Sequence, residues 1–431
     1  MASRSADENL HFESDTINFQ DILELLKRPE HDYSWSTGIK ESHLEDLHLE
    51  MVHSGAFFSF YNLYNRKQVQ TDHEVMIKVV KPFPQWFGNK ERSLRLSYEQ
   101  RVLQKLEEFC PTNKAIKIHL FVPGNSFAFI ENLKGYRTLD DHLLSKDFSE
   151  DLAKAIINNL IHIHKATFFA TSNSNCLEDL EAQLQDCGFP GIIEKMTFIC
   201  SFEKDNPTKC KDESLEKVLL QIYNNSTLLS SVADLKNSFH TNKECLIHGN
   251  LQTDSILCSL NGDIKFAGFE FAHVGSCAFD MACILVNYLV AFYHFLEPSE
   301  HSDQNHQFAQ SMIEYMKISG SFRLNFLLFL FGRQLYIEKM HFRNDQVKKF
   351  WSEVAGFAGC VIIRRVLLPL PEDILHTDKF SKADVLEAGI RLLKNNTFLF
   401  SSLCSLIFLP FFTLFLPFSI FLFFFSFPTL L

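Results

Sequence analysis

The side chains able to do chemistry concentrate in one stretch, Ile247-His248-Gly249-Asn250-Leu251-Gln252-Thr253-Asp254-Ser255-Ile256, followed by Lys265 to Phe271 and then Ala278-Phe279-Asp280. Asn250 can accept a hydrogen bond from a hydroxyl, but it cannot take the proton or bring a negative charge. Glu270 and Asp254 carry carboxylate oxygens of the kind a hard cation such as Mg²⁺ requires. Asp280 stands just before an apolar run, where an acid caps a helix or braces a loop. Outside this stretch, Lys78 lies in MIKVVKP, Glu99 in the next helical segment, and Arg364-Arg365 in FAGCVIIRRV. Such a set orients a hydroxyl and neutralises an anion, with few oxygens left for a metal.

The elements that must position these groups follow from periodicity. Residues 1–20 are polar and mixed in charge, a mobile leader before a helix at Phe19 to Lys27. LHLEMVHSGAFFSFYNLYNRK and HEVMIKVVKP read as two extended runs of antiparallel strand. Ser93 to Phe109 has helical spacing in Leu96, Glu99, Val102, Leu103 and Leu106, and IKIHLFV and SFAFIENL read as further strands. After Leu133 the character is helical: a long helix from Asp151 to Thr171, then helices and loops from Leu177 to about Phe239. A strand-loop-strand unit with an Asn261-Gly262 hairpin turn interrupts them. Helices follow at Phe279–Phe295, His306–Lys317, Phe322–His341, Asp345–Leu367 and Lys382–Lys394.

At 431 residues the chain has room for two lobes, each with its own core. The formal charge of −11 argues against broad binding to nucleic acid, which needs clustered cations to displace counterions. The 11 cysteines are an odd number without CxxC pairs, which fits small core residues in a reducing, cytoplasmic setting rather than disulfides or metal ligands.

The three ordered blocks resemble the catalytic core of the methylthioribose kinases, small-molecule kinases akin to aminoglycoside phosphotransferases and choline kinases. Their segments typically read HGDLHTGSI, IDPEF and GFDIG before a long apolar helix. The resemblance puts Lys78 at the strand lysine that holds nucleotide phosphates and Glu99 at its acidic partner. It aligns Ser54-Gly55-Ala56-Phe57-Phe58 with the phosphate loop and Glu131, in FIENL, with the hinge, where a structural role is an equal reading. His248 falls in the catalytic loop, Asn250 at the base aspartate, and Arg364 and Arg365 on the substrate or phosphate side. Trp86 matches a tryptophan-bearing loop, or else packs on the lobe.

Covering about residues 20 to 395, the resemblance implies an α+β, bilobal protein-kinase-like fold. It would make residues 21–133 a small antiparallel-sheet N-lobe and 134–396 a larger, mainly helical C-lobe. It also implies ATP and Mg²⁺ as cofactors, with Asn250 and Glu270 as the metal ligands. The ligands would be a nucleotide and a small sugar-like molecule, and the chain a homodimer. The ancestral reaction would be ATP-dependent phosphorylation of the 1-hydroxyl of 5-methylthioribose.

The departures from the pattern matter as much. Asn250 replaces the base aspartate, whose help is worth on the order of 10² to 10⁴ in rate. Gly268-Phe269-Glu270 replaces Asp-Pro-Glu, and Phe57 and Phe58 crowd the loop that should approach phosphates closely. Asp254 stands where the family has glycine. Three readings stay open. One is an impaired kinase that binds a ligand or partner, with or without ATP and Mg²⁺. Another is a working kinase using Asn250, Glu270 and Asp254, and the third is a membrane-anchored scaffold.

The third reading rests on residues 397–431, which hold no charged residue and suffice to cross a bilayer. Pro410, Pro417 and Pro428 interrupt them. A pyrimidine-rich non-coding stretch read as codons would give the same Leu, Phe, Ser and Pro composition.

Overall fold

The structure, a computed structural model, describes residues 19–27, 47–65, 75–82, 92–168, 174–184, 188–206, 209, 212–296, 302–334, 340–369 and 381–394, with backbone alone at 65, 174–178, 302, 321–334 and 340–347. The leader, Trp86 and the hydrophobic tail lie outside the described residues.

The N-terminal part comprises α1 (Phe19–Leu26), β1 (Leu47–Ser54), β2 (Phe58–Asn65), β3 (Val75–Val80), α2 (Arg92–Phe109), β4 (Ile118–Phe121) and β5 (Phe127–Ile130). The strands form one antiparallel sheet in the order β1-β2-β3-β5-β4. The first extended run therefore splits into a hairpin, with Gly55 N–H donating to the Phe58 carbonyl at its turn. β3 is buried along its whole length, and its alternation explains Lys78. Val75, Ile77 and Val79 pack toward Ile22, Leu25 and Leu26 of α1, while Val80 packs with Leu96 of α2. Lys78 shares the parity of Val80 and so faces α2.

The larger part begins with β6 (Tyr136–Thr138), α3 (Leu139–Leu144), α4 (Glu150–Ala166), α5 (Ser174–Leu184) and α6 (Pro190–Glu194), which runs into a π-helical turn at Lys195–Cys200. Then come α7 (Glu216–Tyr223), α8 (Ser226–Thr241), β7 (Cys245–Ile247), β8 (Ile256–Ser259), β9 (Ile264–Phe266), β10 (His273–Gly275), α9 (Cys277–Leu296), α10 (Ser302–Gln334), α11 (Met340–Leu367) and α12 (Lys382–Lys394). α4 starts where Ser149 accepts from Leu152 N–H, with Glu150 and Asp151 in its first turn and His164 and Lys165 in its last, all complementing the helix dipole. α9 is apolar on every side and is the buried centre of this lobe, packed against α10 and α11. Among the described residues it is the one helix long and apolar enough to cross a membrane, and it is almost wholly buried.

This is the expected architecture: an antiparallel sheet with one long helix, followed by a mainly helical lobe. Several elements differ in detail. The helix expected at His306–Lys317 and the part of Phe322–His341 up to Gln334 are one, α10, in which the buried Ser319-Gly320 step continues the helix. α4 ends at Ala166 rather than Thr171. β6 and β10 are unforeseen three-residue strands, held by antiparallel pairing to β8 and β7. The described cysteines are free and buried, as core residues.

Candidate active site

The N-terminal wall is a buried cluster of charge. Lys78 Nζ sits 2.6 Å from both Glu99 oxygens and 3.7 Å from Glu270 Oε2, with all three side chains almost inaccessible. Glu99 Oε1 also accepts from the Gly268 and Phe269 N–H groups at 3.2 and 3.3 Å, which ties α2 to the 3₁₀ turn Phe269–Phe271. Arg95, one turn earlier on the same face of α2, donates to the Phe57 carbonyl at 2.6 Å. Burial lowers the Arg95 pKa to about 10 against the pull of Glu270 and Glu99. Burial pushes Glu99 up, Lys78 opposing, whereas at Glu270 burial is outweighed by Lys78 and Arg95 and the carboxyl lies below its usual range.

The opposite wall is the loop after β7. Asp280, at the start of α9, accepts from His248 N–H at 2.8 Å, from Gly249 N–H at 3.0 Å and from His164 Nε2 at 3.0 Å. Burial would raise its pKa, but the His164 hydrogen bond and charge prevail and lower it. Asp280 is therefore the brace of this loop, as its position suggested. His248 Nε2 donates to the Ala267 carbonyl at 2.8 Å, so its ring is committed to the backbone. Asn250 is 3 % exposed, and its Oδ1 accepts from Arg364 Nη1 at 3.0 Å and from Gln252 Nε2 at 3.1 Å. Arg365 instead donates to Asn287 Oδ1 at 3.0 Å, and Asn287 Nδ2 donates to the Leu251 carbonyl.

Between the walls, the loop Ser54 to Phe58 turns its aromatic rings inward. The Phe58 ring lies 4.3 Å from Lys78 Nζ, and Phe57 meets Phe271 edge-on at 5.0 Å. Gly268 has φ of +86°, a backbone that L side chains rarely adopt, and a Cβ there would stand 2.9 Å from Phe58 Cε1. At the hinge, Glu131 bridges Lys265 Nζ at 3.0 Å and Lys117 N–H at 2.8 Å, and Leu133 N–H points to Met76 Sδ at 3.1 Å. Glu131 thus makes structural contacts here.

The structure brings together Lys78, Glu99 and Glu270 on one side and His248, Asn250 and Arg364 on the other, with Gly55 at the loop between them. Arg365 belongs to the scaffold behind Asn250. Of the two oxygens the resemblance assigns to Mg²⁺, Asn250 Oδ1 already accepts from two donors, while Glu270 Oε2 is buried without a hydrogen-bond partner, 3.7 Å from Lys78 Nζ. Sequence reasoning missed Arg95, Gln252, Asn287 and His164. For Arg95 a signal existed, its four-residue spacing from Glu99. Asp254 was considered as a metal ligand, yet its Oδ2 accepts from Ala56 N–H at 3.3 Å.

No family model matches the chain. It is 26% identical over 190 residues to the methylthioribose kinase of Bacillus velezensis, which is 44% of this chain and 45% of that protein. To the Bacillus mycoides enzyme of the same name it is 29% identical over 178 residues, 41% and 43% of the two chains. The chain thus spans less than half the length of these two relatives. A match to the methylthioribose kinase of Cronobacter sakazakii is longer, 23% over 278 residues, or 63% of this chain and 68% of that one. Among solved structures, an ethanolamine kinase of Plasmodium vivax superposes with a TM-score of 0.44 at 13% identity, covering 94% of this chain and 96% of its own. A GDP complex of aminoglycoside 2'-phosphotransferase-IIIa gives a TM-score of 0.38 at 15% identity, covering 81% and 92%.

Proposed function

We propose that this chain, a distant relative of the methylthioribose kinases, is a cytoplasmic kinase-like protein without efficient phosphoryl transfer, serving to bind a small ligand or a protein partner. One observation carries the reading: the group at the base position is an amide whose oxygen is taken by Arg364 and Gln252. Phosphoryl transfer is chiefly positioning plus neutralisation of charge, so losing the base carboxylate and the second metal-binding acid removes two of its parts at once. The left-handed backbone at Gly268 agrees, since an acid there would be strained at φ +86° and would bring its Cβ within 2.9 Å of Phe58 Cε1. The test is Mg²⁺-dependent ATP consumption by the protein with and without methylthioribose, beside thermal-shift titration of each. The reading requires no methylthioribose-dependent consumption, and sustained turnover refutes it.

A second reading, a working sugar kinase, is favoured by one feature alone. The strand lysine keeps its acid at 2.6 Å, as a nucleotide-binding kinase would need. The same assay separates the two.

A further inference from the structure

The phosphate side of the cleft is already filled by the chain's own groups. Asp254 reaches from the turn Thr253–Ser255 across 198 residues of sequence to the loop between β1 and β2. Its Oδ2 takes the Ala56 N–H at 3.3 Å, and its Oδ1 accepts from Ser255 Oγ at 3.1 Å. The approach is close: a Cβ on Gly55 would stand 2.7 Å from Asp254 Oδ2, so the carboxylate would have to shift to admit one. Beside this contact Phe58, 1 % exposed, lies over Lys78, whose ammonium is already held by Glu99. Lys81 Nζ, on the next residues of the chain, donates to Ser54 Oγ at 2.6 Å.

We propose that Asp254 and Phe58 form an internal stopper that sets the selectivity of this cleft against polyanions, so that a nucleoside triphosphate is disfavoured relative to its uncharged nucleoside. The inference rests on the proposed reading of the cleft as that of a kinase relative. An N–H group that donates to a carboxylate is not free for a phosphate oxygen, and the carboxylate repels the phosphate that would replace it. Phe58 must swing out before Lys78 can meet an anion. A neutral nucleoside meets neither obstacle.

The experiment is calorimetric titration of the full chain with Mg·ATP and with adenosine, for wild type, Asp254→Asn and Asp254→Asn with Phe58→Ala. Asp254→Asn keeps the side-chain shape and an oxygen acceptor while removing the charge, so it tests the proposal even where the double variant folds poorly. The expected result is that wild type binds Mg·ATP no more tightly than adenosine. In Asp254→Asn the affinity for Mg·ATP rises about tenfold or more, as removal of a like charge a few ångströms away implies, while that for adenosine stays within about twofold. Tighter binding of Mg·ATP than of adenosine by wild type overturns the proposal, as does an unchanged ratio in Asp254→Asn. Wild type that binds Mg·ATP tightly without consuming it sinks the stopper and leaves the proposed function standing. An Asp254→Asn protein that gains binding and also turns over methylthioribose does the reverse.

Discussion

Two regions of the molecule match the pattern of the family resemblance to different degrees. Lys78 and Glu99 make the ion pair the family resemblance implies, whereas Asn250 and Gly268 stand where acids were expected, and Glu270, expected at a metal, lies 3.7 Å from Lys78. The difference follows from what each group does for the fold. Lys78 and Glu99 are wholly buried, and Glu99 also takes two N–H groups of the facing loop, so neither partner can change without leaving the other charged and dry. Asn250 fills its position with hydrogen bonds an amide satisfies as well as an acid, and Gly268 relieves both the backbone and Phe58.

The sharpest way to break this comparison is to treat the retained pair as catalytic furniture. Glu99→Leu should cost ~3–5 kcal/mol in denaturant unfolding, because it leaves a buried ammonium only the longer contact with Glu270 and orphans the Gly268 and Phe269 N–H groups. A loss under about 1 kcal/mol would show that the pair is not structural. Next comes the brace of the altered wall. Asp280→Ala should cost ~2–3 kcal/mol, since it orphans His248 N–H, Gly249 N–H and His164 together. Its pH signature has a definite sign. The folded carboxyl binds its proton less readily than the unfolded one, so its stabilisation is complete above the unfolded value of about 4 and is lost as pH falls through the folded one. Asp280→Asn should flatten that acid limb of a stability-versus-pH curve.

A smaller effect sharpens the other half. Asn250→Asp should move stability by no more than ~1 kcal/mol, because Arg364 already presents a cation 3.0 Å away, and ATP consumption should stay at background. Marked recovery of turnover from this one change would mean that the rest of the site survived. Smallest of all is a pair that serves neither wall: Glu387→Ala breaks the half-exposed contact with Arg391 and should register at ~0.5 kcal/mol or less by thermal melting.

Much of this was legible in the sequence where one residue type decides. β3 could be read from MIKVVKP and the loop from HGNLQTDSI, and both lie where expected. The three-residue strands β6 and β10 could not be read, since nothing local makes them strands; their partners do, and β8 lies about 120 residues beyond β6. Residues 318–321 fell between two expected helices, but the buried Ser319-Gly320 step lies inside the continuous α10. In the site, types were legible and occupancy was not. Asn250 was read as an acceptor, whereas the donors that saturate it come from Gln252 and, across 114 residues, Arg364. Asp254 read as a spare carboxylate because its partner, an N–H on another lobe, leaves no trace in composition.

α2 has a consequence of a different kind. Its Tyr98 hydroxyl reaches the Ala272 carbonyl, its Glu99 takes the N–H groups of Gly268 and Phe269, and its inner face packs on the turn Phe269–Phe271. One helix of the small lobe is thereby riveted into the large one at its most buried point. Melting the sheet would tear these contacts out of the helical lobe, so scanning calorimetry should record one endotherm rather than separate transitions for the two lobes, and two resolved peaks would show that the rivet does not couple them.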